Sequence, residues 1–234
     1  MNAILNDPRI ERGMRRQFAL LDEKERSGAK RIGWKVGFGA SAAMEKMRIS
    51  APLIGFLMDS AVLASDATVS VASWTKAAAE PEIAIEIGRN IVPGSSDAQI
   101  TDAIAAIGPA IELADIDGPM DDVESILAGN IFQRHVIFGR RDPSYSGARL
   151  DDVKGQLFRS GKEVAVPDNL EANTGPVRPI VRQVSETLGA FGRQLQAGDV
   201  IIAGSVTPPQ FLEPSDYRFS WELNPIGGAA INFT

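Results

Sequence analysis

The stretch Glu80-Pro81-Glu82-Ile83-Ala84-Ile85 alternates acidic and aliphatic side chains. Side chains two apart on a β-strand share a face, so Glu80 and Glu82 stand together on one side of it. Ile83, Ile85 and Ile87 line the other side and hold the strand against a core. Two carboxylates about 7 Å apart on one strand repel each other unless something positive lies between them. A hard divalent cation such as Mg²⁺ is the natural partner, because it prefers oxygen ligands and keeps some waters. The residues alone leave a second reading open, a strand whose glutamates face solvent.

A third acid stands in a similar setting. Glu112 lies within Pro109-Ala110-Ile111-Glu112-Leu113-Ala114, where small neighbours on its own face leave room for a ligand. Three glutamates from two strands would supply three positions of an octahedral ion and leave the rest for substrate and water. Glu112 reads equally as a residue on the wet face of a half-buried strand. Lys35 interrupts Gly33-Trp34-Lys35-Val36-Gly37, where glycines permit close backbone approach. It reads either as a lysine snorkelling to solvent or as an ammonium aimed at a carboxylate or at proton transfer.

Composition narrows the chemistry. The 234 residues form one large domain, with 1–50 as a helical segment and lysine strand packed on a core of 51–234. A net charge of −6 argues against a nucleic-acid or anionic-membrane partner. The absence of cysteine excludes disulfides, thiol catalysis and Cys-ligated zinc, and the single His135 excludes a two-histidine metal site within the chain. His135 reads as a strand residue rather than a base. No leader is visible from Met1 to Arg16 and no apolar run approaches a membrane span, so the cytoplasm is the expected location.

Local signals give the element order. Asp7-Pro8 opens a helix with Ile10, Met14, Phe18 and Leu21 on one face. Strands are expected over 31–38, 78–87, 110–114, 134–138, 199–205, 217–223 and 229–233, and 53–58 is an apolar run ending at Asp59. Helices are expected over 41–47, 97–107, 119–128 and 176–195, and a hairpin over 156–166 turns at Ser160-Gly161. Pro81 is placed at an edge or near a strand start, because it cannot donate a ladder hydrogen bond. Strands outnumber helices without strict alternation, which favours an α+β fold.

Four stretches together resemble the fumarylacetoacetate hydrolase superfamily, in its branch of 2-keto-4-pentenoate hydratases and 4-oxalocrotonate decarboxylases. They are Gly33-Trp34-Lys35-Val36-Gly37-Phe38, Glu80-Pro81-Glu82-Ile83-Ala84, Pro109-Ala110-Ile111-Glu112 and 197–205 (AGDVIIAGS). The Glu-x-Glu with a later Pro-Ala-x-Glu is the specific part. The resemblance implies a mixed β-roll of the fumarylacetoacetase C-terminal type with peripheral helices, a homo-oligomer, and Mg²⁺ or Mn²⁺ on Glu80, Glu82 and Glu112. It also implies a 2-oxo acid substrate, with Lys35 and Asp59 in catalytic roles and Phe38, Leu57 and Ser205 at the substrate. The implied reaction is hydration of a 2-hydroxydienoate through a metal-stabilised enolate, with decarboxylation or C–C hydrolysis as alternatives.

The chain departs from the pattern in three places. Gly37-Phe38-Gly39-Ala40-Ser41 replaces Gly-Leu-Thr-Ser, and Asp115-Ile116-Asp117 replaces Asp-Ser-Arg, which removes an arginine. The segment 129–134 brings bulkier side chains near the pocket. Hydrolase members use an early His–Glu pair, and no histidine precedes His135. Two further readings stand beside this one. Gly37-Phe38-Gly39-Ala40-Ser41-Ala42, with Asp59 downstream, matches a relaxed dinucleotide fingerprint and so an NAD-dependent oxidoreductase. A non-catalytic 2-oxo acid binding protein is the other.

Overall fold

The structure is a computed structural model that describes residues 6–234. Residues 1–5, which open the stretch read above as carrying no leader, lie outside the described residues. The first half of the chain forms α1 (Pro8–Arg26), β1 (Arg31–Gly37), α2 (Ser41–Met47), β2 (Leu53–Met58), β3 (Val62–Leu63), β4 (Thr68–Val69), β5 (Ala77–Ile87), α3 (Asp97–Ala103) and β6 (Ile104–Asp115). The second half forms α4 (Val123–Ala128), β7 (Gln133–Phe138), β8 (Lys154–Arg159), β9 (Lys162–Ala165), α5 (Val177–Ala190), β10 (Val200–Ser205), β11 (Gln210–Phe211), β12 (Arg218–Asn224) and β13 (Gly227–Phe233).

Strands run in the order β2-β1-β10-β5-β6-β7-β3 in the larger sheet, with β11 added beside β5, and in the order β4-β13-β12-β8-β9 in the smaller. The β1–β10 and β3–β7 pairs are parallel and the other pairs of the larger sheet are antiparallel, which makes it mixed. One face of this sheet carries Trp34, Ile83, Ile85, Ile107, Ile111 and Ile201 into the main core with the helices and the smaller sheet. The other face forms a separate buried cluster of Leu57, Ala84, Ala110, Val136, Val200 and Ile202. All six come from the larger sheet, so the sheet curls and covers itself. Asn130 closes the curl: its side-chain amide donates to Phe56 O at 3.0 Å and accepts from Phe56 N at 2.8 Å. The expected α+β roll is therefore what the chain forms.

The first helix follows its signals. The Asp7 carboxylate accepts from Arg9 N at 2.9 Å, Pro8 opens the helix, and Ile10, Met14, Phe18 and Leu21 are buried. Burial of each such side chain is worth roughly 1.5–3 kcal/mol. Phe18 meets the Trp34 ring edge-on at 6.2 Å, which ties α1 to β1. The hairpin turns where expected, with positive φ at both Ser160 and Gly161. No helix among the described residues is long and apolar enough to cross a membrane.

Three local expectations are corrected. The helix expected over 97–107 stops at Ala103, and Ile104 to Ile107 begin the twelve-residue β6. Isoleucines at 100, 104 and 107 suit a helical face, but Ile104 and Ile107 pair with Ile87 and Ile85 across a ladder that outweighs helix continuation. Pro81 sits mid-strand between β10 and β6, neither at an edge nor near a start. Its carbonyl accepts from Val206, so its missing N–H faces the side where the β10 ladder breaks between Ile202 and Ser205. Helix α5 ends at Ala190 rather than Leu195, because Gly192 turns with positive φ and Leu195 bridges to Ile91.

Candidate metal centre and its cavity

Antiparallel pairing of β5 with β6 sets Glu80 directly opposite Glu112, and Glu82 follows two residues along the same face. The three side chains each bring a carboxylate oxygen to within 4.8 Å of the others. Glu82 and Glu112 are fully buried, and Glu80 is half-buried at the cavity wall. Strand β10 contributes a backbone donor, as Gly204 N–H reaches Glu82 Oε2 at 2.8 Å. Gly204 adopts φ +93°, and a Cβ there would come within 2.9 Å of Thr174 Cγ2, so this donor position calls for glycine.

Lys35 enters from β1. Its Nζ donates to Glu112 Oε1 and, at 3.1 Å, to Ile131 O. That carbonyl is aimed by an uncommon backbone run: Asn130, Ile131 and Phe132 all adopt positive φ, at 59°, 55° and 61°. For a β-branched residue such as Ile131 this conformation costs on the order of 1–3 kcal/mol. The Asn130 clasp on Phe56 and the Ile131 N–H bond to Ile126 O hold it in place.

The electrostatics are those of a site built for a cation. With all three acids ionised, three carboxylates against one ammonium leave two net negative charges at the site. Glu82 Oε1 and Glu112 Oε2 are buried with no hydrogen-bond partner among the described residues. Such orphaned acceptors are costly without a counter-ion. Burial first, and the nearby Glu112 charge second, push the Glu80 carboxyl up to about 7, with Lys35 pulling it back. Burial also drives Glu82 well above the usual carboxylate range, helped by Glu112 and Glu80 and opposed by Lys35 and the Gly204 N–H. An all-oxygen donor set with two free buried oxygens fits a hard divalent ion such as Mg²⁺ or Mn²⁺.

A cavity of about 210 Å³ opens beside the carboxylates, with Lys35, Glu80 and Ser205 in its wall. Phe38, Ala40, Ile116, Met120, Phe132 and Phe211 form much of the remainder. Ser205 Oγ is buried without a partner among the described residues, and the Ser205 carbonyl accepts from Asn173 Nδ2 at 2.7 Å. Of the residues singled out from the sequence, Glu80, Glu82, Glu112, Lys35, Phe38 and Ser205 come together here.

Leu57 and Asp59 do not. Leu57 pairs with Gly33 and is fully buried in the interior cluster beyond the carboxylates, away from the cavity wall. Asp59 is exposed and accepts from Lys30 N at 3.1 Å and Ser60 N at 2.7 Å. Strand β2 runs antiparallel to β1, so its end faces the start of β1 while Lys35 sits toward the other end. The same pairing removes the dinucleotide reading of 37–42, because a βαβ unit needs parallel strands on either side of its helix. Asn173 and Thr174 line the cavity and had no signal in the sequence, arriving from the loop before α5. Ile131 and Phe132 do bring bulk to the wall, as the 129–134 segment implied.

Residues 31–230 match the family described as fumarylacetoacetate (FAA) hydrolase C-terminal. The chain is 26% identical to 2-hydroxyhexa-2,4-dienoate hydratase of Comamonas testosteroni over 222 residues, which covers 92% of this chain and 83% of that protein. It is 26% identical to a 4-oxalocrotonate decarboxylase of Pseudomonas putida over 207 residues, 86% of this chain and 76% of that protein. Among solved structures, 4-oxalocrotonate decarboxylase from Pseudomonas putida G7, complexed with magnesium and adipate, superposes with a TM-score of 0.85 at 23% identity, covering 93% of this chain and 83% of that one. Fumarylpyruvate hydrolase from Pseudomonas aeruginosa, in complex with Mn²⁺ and pyruvate, does so with a TM-score of 0.68 at 14% identity, over 88% of this chain and 89% of that one. The match over 31–230 makes the chain a member of the fumarylacetoacetate hydrolase family.

Proposed function

We propose that this chain is a divalent-metal-dependent hydro-lyase of the 2-keto-4-pentenoate hydratase type, acting on a 2-hydroxydienoate and its 2-oxo tautomer. The observation that carries this reading is the convergence of Glu80, Glu82 and Glu112 with two buried oxygens left free. Those three residues would hold Mg²⁺ or Mn²⁺, which when bound supplies a Lewis acid for negative charge on the substrate's C2 oxygen.

The chain's own residues do the rest. Lys35 spends two of its three N–H donors on Glu112 and Ile131 O, and its third, without a partner among the described residues, is offered to the substrate carboxylate. It is also the proton carrier of this reading, since the other ionisable side chains of the cavity are the metal-holding glutamates. Ser205 Oγ, buried without a partner in the cavity wall, offers a hydrogen bond to substrate or attacking water. Asp59 has no part in this scheme. A homo-oligomer that needs neither nucleic acid nor membrane belongs to the same reading.

The decarboxylases among the relatives define the competing outcome, since one enolate-stabilising site serves loss of carbon dioxide as well as addition of water. Purified protein with Mg²⁺ and a 2-hydroxydienoate should bleach the dienol absorbance, give a product heavier by one water, and stop when the metal is chelated. Release of carbon dioxide from a dicarboxylic substrate would reassign the chain to decarboxylation. An unchanged dienoate in the presence of metal would end the proposal.

A further inference from the structure

The approach to the carboxylates is unevenly charged. Met120 is exposed in the cavity wall, and its sequence neighbours Asp117, Asp121 and Asp122 are exposed acids. Arg134 does not offset them, because Asp115 and Asp117 hold its guanidinium at 3.3 Å and 2.7 Å. Phe211, also exposed in the wall, carries the opposite sign: the Lys76 ammonium lies 3.9 Å from the centre of its ring. Lys76 is exposed and forms no ion pair among the described residues.

The backbone fixes this cation at the mouth. Lys76 N donates to Asp115 Oδ1 at 2.9 Å, and Lys76 O accepts at 3.0 Å from the backbone N–H of Ile116, a residue of the cavity wall. Two residues on, Ala78 pairs with Phe211 across β5 and β11, which seats the ring beside the lysine. An ammonium on an aromatic face at an exposed site is weakly held, so it stays available to a carboxylate, which is the stronger partner. Lys35 cannot make such a first contact, since it is buried at the carboxylate end and bound to Glu112 and Ile131 O.

The chain carries a net charge of −6, and a 2-oxo acid is itself an anion. A charge on a rim acts on such a ligand through the encounter, by raising its local concentration, and salt screens the effect. We infer that Lys76 is the capture residue of this cavity: its ammonium draws the carboxylate of an incoming 2-oxo acid past the acids around Met120 and delivers it to the inner end, where Lys35 and the glutamates take over. Lys76 takes no part in the chemical step. This rests on the reading above that an anionic 2-oxo acid binds at the glutamates.

The test is calorimetric titration of the Mg²⁺-loaded protein with 2-oxohexanoate, a monoanion, and with oxalate, a dianion, at low and high salt. At about 20 mM NaCl, Lys76→Met should weaken 2-oxohexanoate binding by about threefold and oxalate binding by more, and Lys76→Glu should weaken each further, to about tenfold or beyond. Lys76→Arg should stay within about twofold of the unmodified protein, because it keeps the charge. At about 300 mM NaCl the differences should shrink to about twofold or less, as the screening length falls below about 10 Å. Equal oxalate affinity in the unmodified protein, K76M and K76E at low salt overturns the inference and leaves the 2-oxo acid reading in place. So does a loss in K76M that salt does not diminish, which would assign Lys76 to packing on Phe211 alone. If oxalate binds to none of the proteins, the 2-oxo acid reading falls and this inference with it.

Discussion

Lys35 and Glu112 form a fully buried ion pair that occupies only one oxygen of the carboxylate, since Nζ donates to Oε1 while Oε2 has no partner among the described residues. The pair both neutralises one acid and leaves it a free coordinating atom. Replacing Lys35 by Met removes the countercharge at similar volume and strands three acids together. We expect the metal-free K35M protein to lose about 3 kcal/mol at neutral pH. Saturating Mg²⁺ should shrink that deficit, while turnover falls by about 10²-fold or more. Urea unfolding with and without metal reads the first effect and dienoate turnover the second. Equal stability of K35M and the unmodified protein would contradict the pairing.

Glu82→Gln keeps the shape of the side chain and its acceptor for Gly204 N–H, but removes a charge from the cluster. Metal affinity should fall by about 10²-fold or more, and the metal-free variant should melt at a higher temperature than the unmodified protein, because one of three repelling acids is gone. Metal titration by calorimetry and a thermal melt in chelator check both. A variant that binds Mg²⁺ as tightly as before would remove Glu82 from the site.

The raised Glu80 carboxyl makes metal binding and stability depend on pH in opposite directions. Its folded value of about 7 exceeds the ordinary 4.5. A group raised on folding contributes stability that is fully present below the unfolded value and is lost as pH rises through the folded one. The metal-free protein should therefore melt progressively lower as pH climbs from about 5 to about 8. Magnesium must displace protons from both Glu80 and Glu82, so its apparent affinity should weaken by at least about tenfold per pH unit below 7. Melting curves across pH with and without Mg²⁺ should converge at acid pH and separate at alkaline pH. Parallel curves would show that the cluster does not titrate this way.

Asn130 is a structural clasp with a catalytic consequence. Its amide joins Phe56 on β2 and its left-handed backbone opens the run that presents Ile131 O to Lys35. Asn130→Ala loses the amide and strains the backbone, and should cost about 2–4 kcal/mol. Asn130→Gly loses the amide alone and should retain about 1 kcal/mol of that. Denaturant unfolding of the two variants separates the contributions. Indistinguishable midpoints would mean that the backbone carries no strain there.

Asp59 offers the complementary check. Its carboxylate holds two backbone N–H groups at an exposed turn. Asp59→Ala should cost up to about 1 kcal/mol of stability and leave kcat/KM within about a factor of two. A collapse of turnover in a folded D59A protein would restore it to the reaction.

The acidic centre was legible because alternation places Glu80 and Glu82 on one face, and Glu112 meets them by plain antiparallel register. Helix α1 was legible from Asp7-Pro8 and its apolar spacing, and the hairpin from Ser160-Gly161. What failed were places where tertiary pairing overrules local pattern. Ile104 and Ile107 suit a helix face and a strand ladder alike, and only the presence of β5 decides between them. Pro81 is tolerated mid-sheet because the neighbouring strand breaks its own ladder there, which nothing local to Pro81 announces. The left-handed run at 130–132 contains an isoleucine and a phenylalanine, residues that carry no turn signal. Leu57 and Asp59 lie near Lys35 in sequence, yet the antiparallel return of β2 carries them toward the other end of the roll.

The interior cluster of Leu57, Ala84, Ala110, Val136, Val200 and Ile202 stoppers the roll behind the carboxylates. With that side filled, the cavity is the open approach to the acids among the described residues; in the proposed reaction an ion would enter ahead of the acid that sits over it, and spent product would leave before the ion could be exchanged.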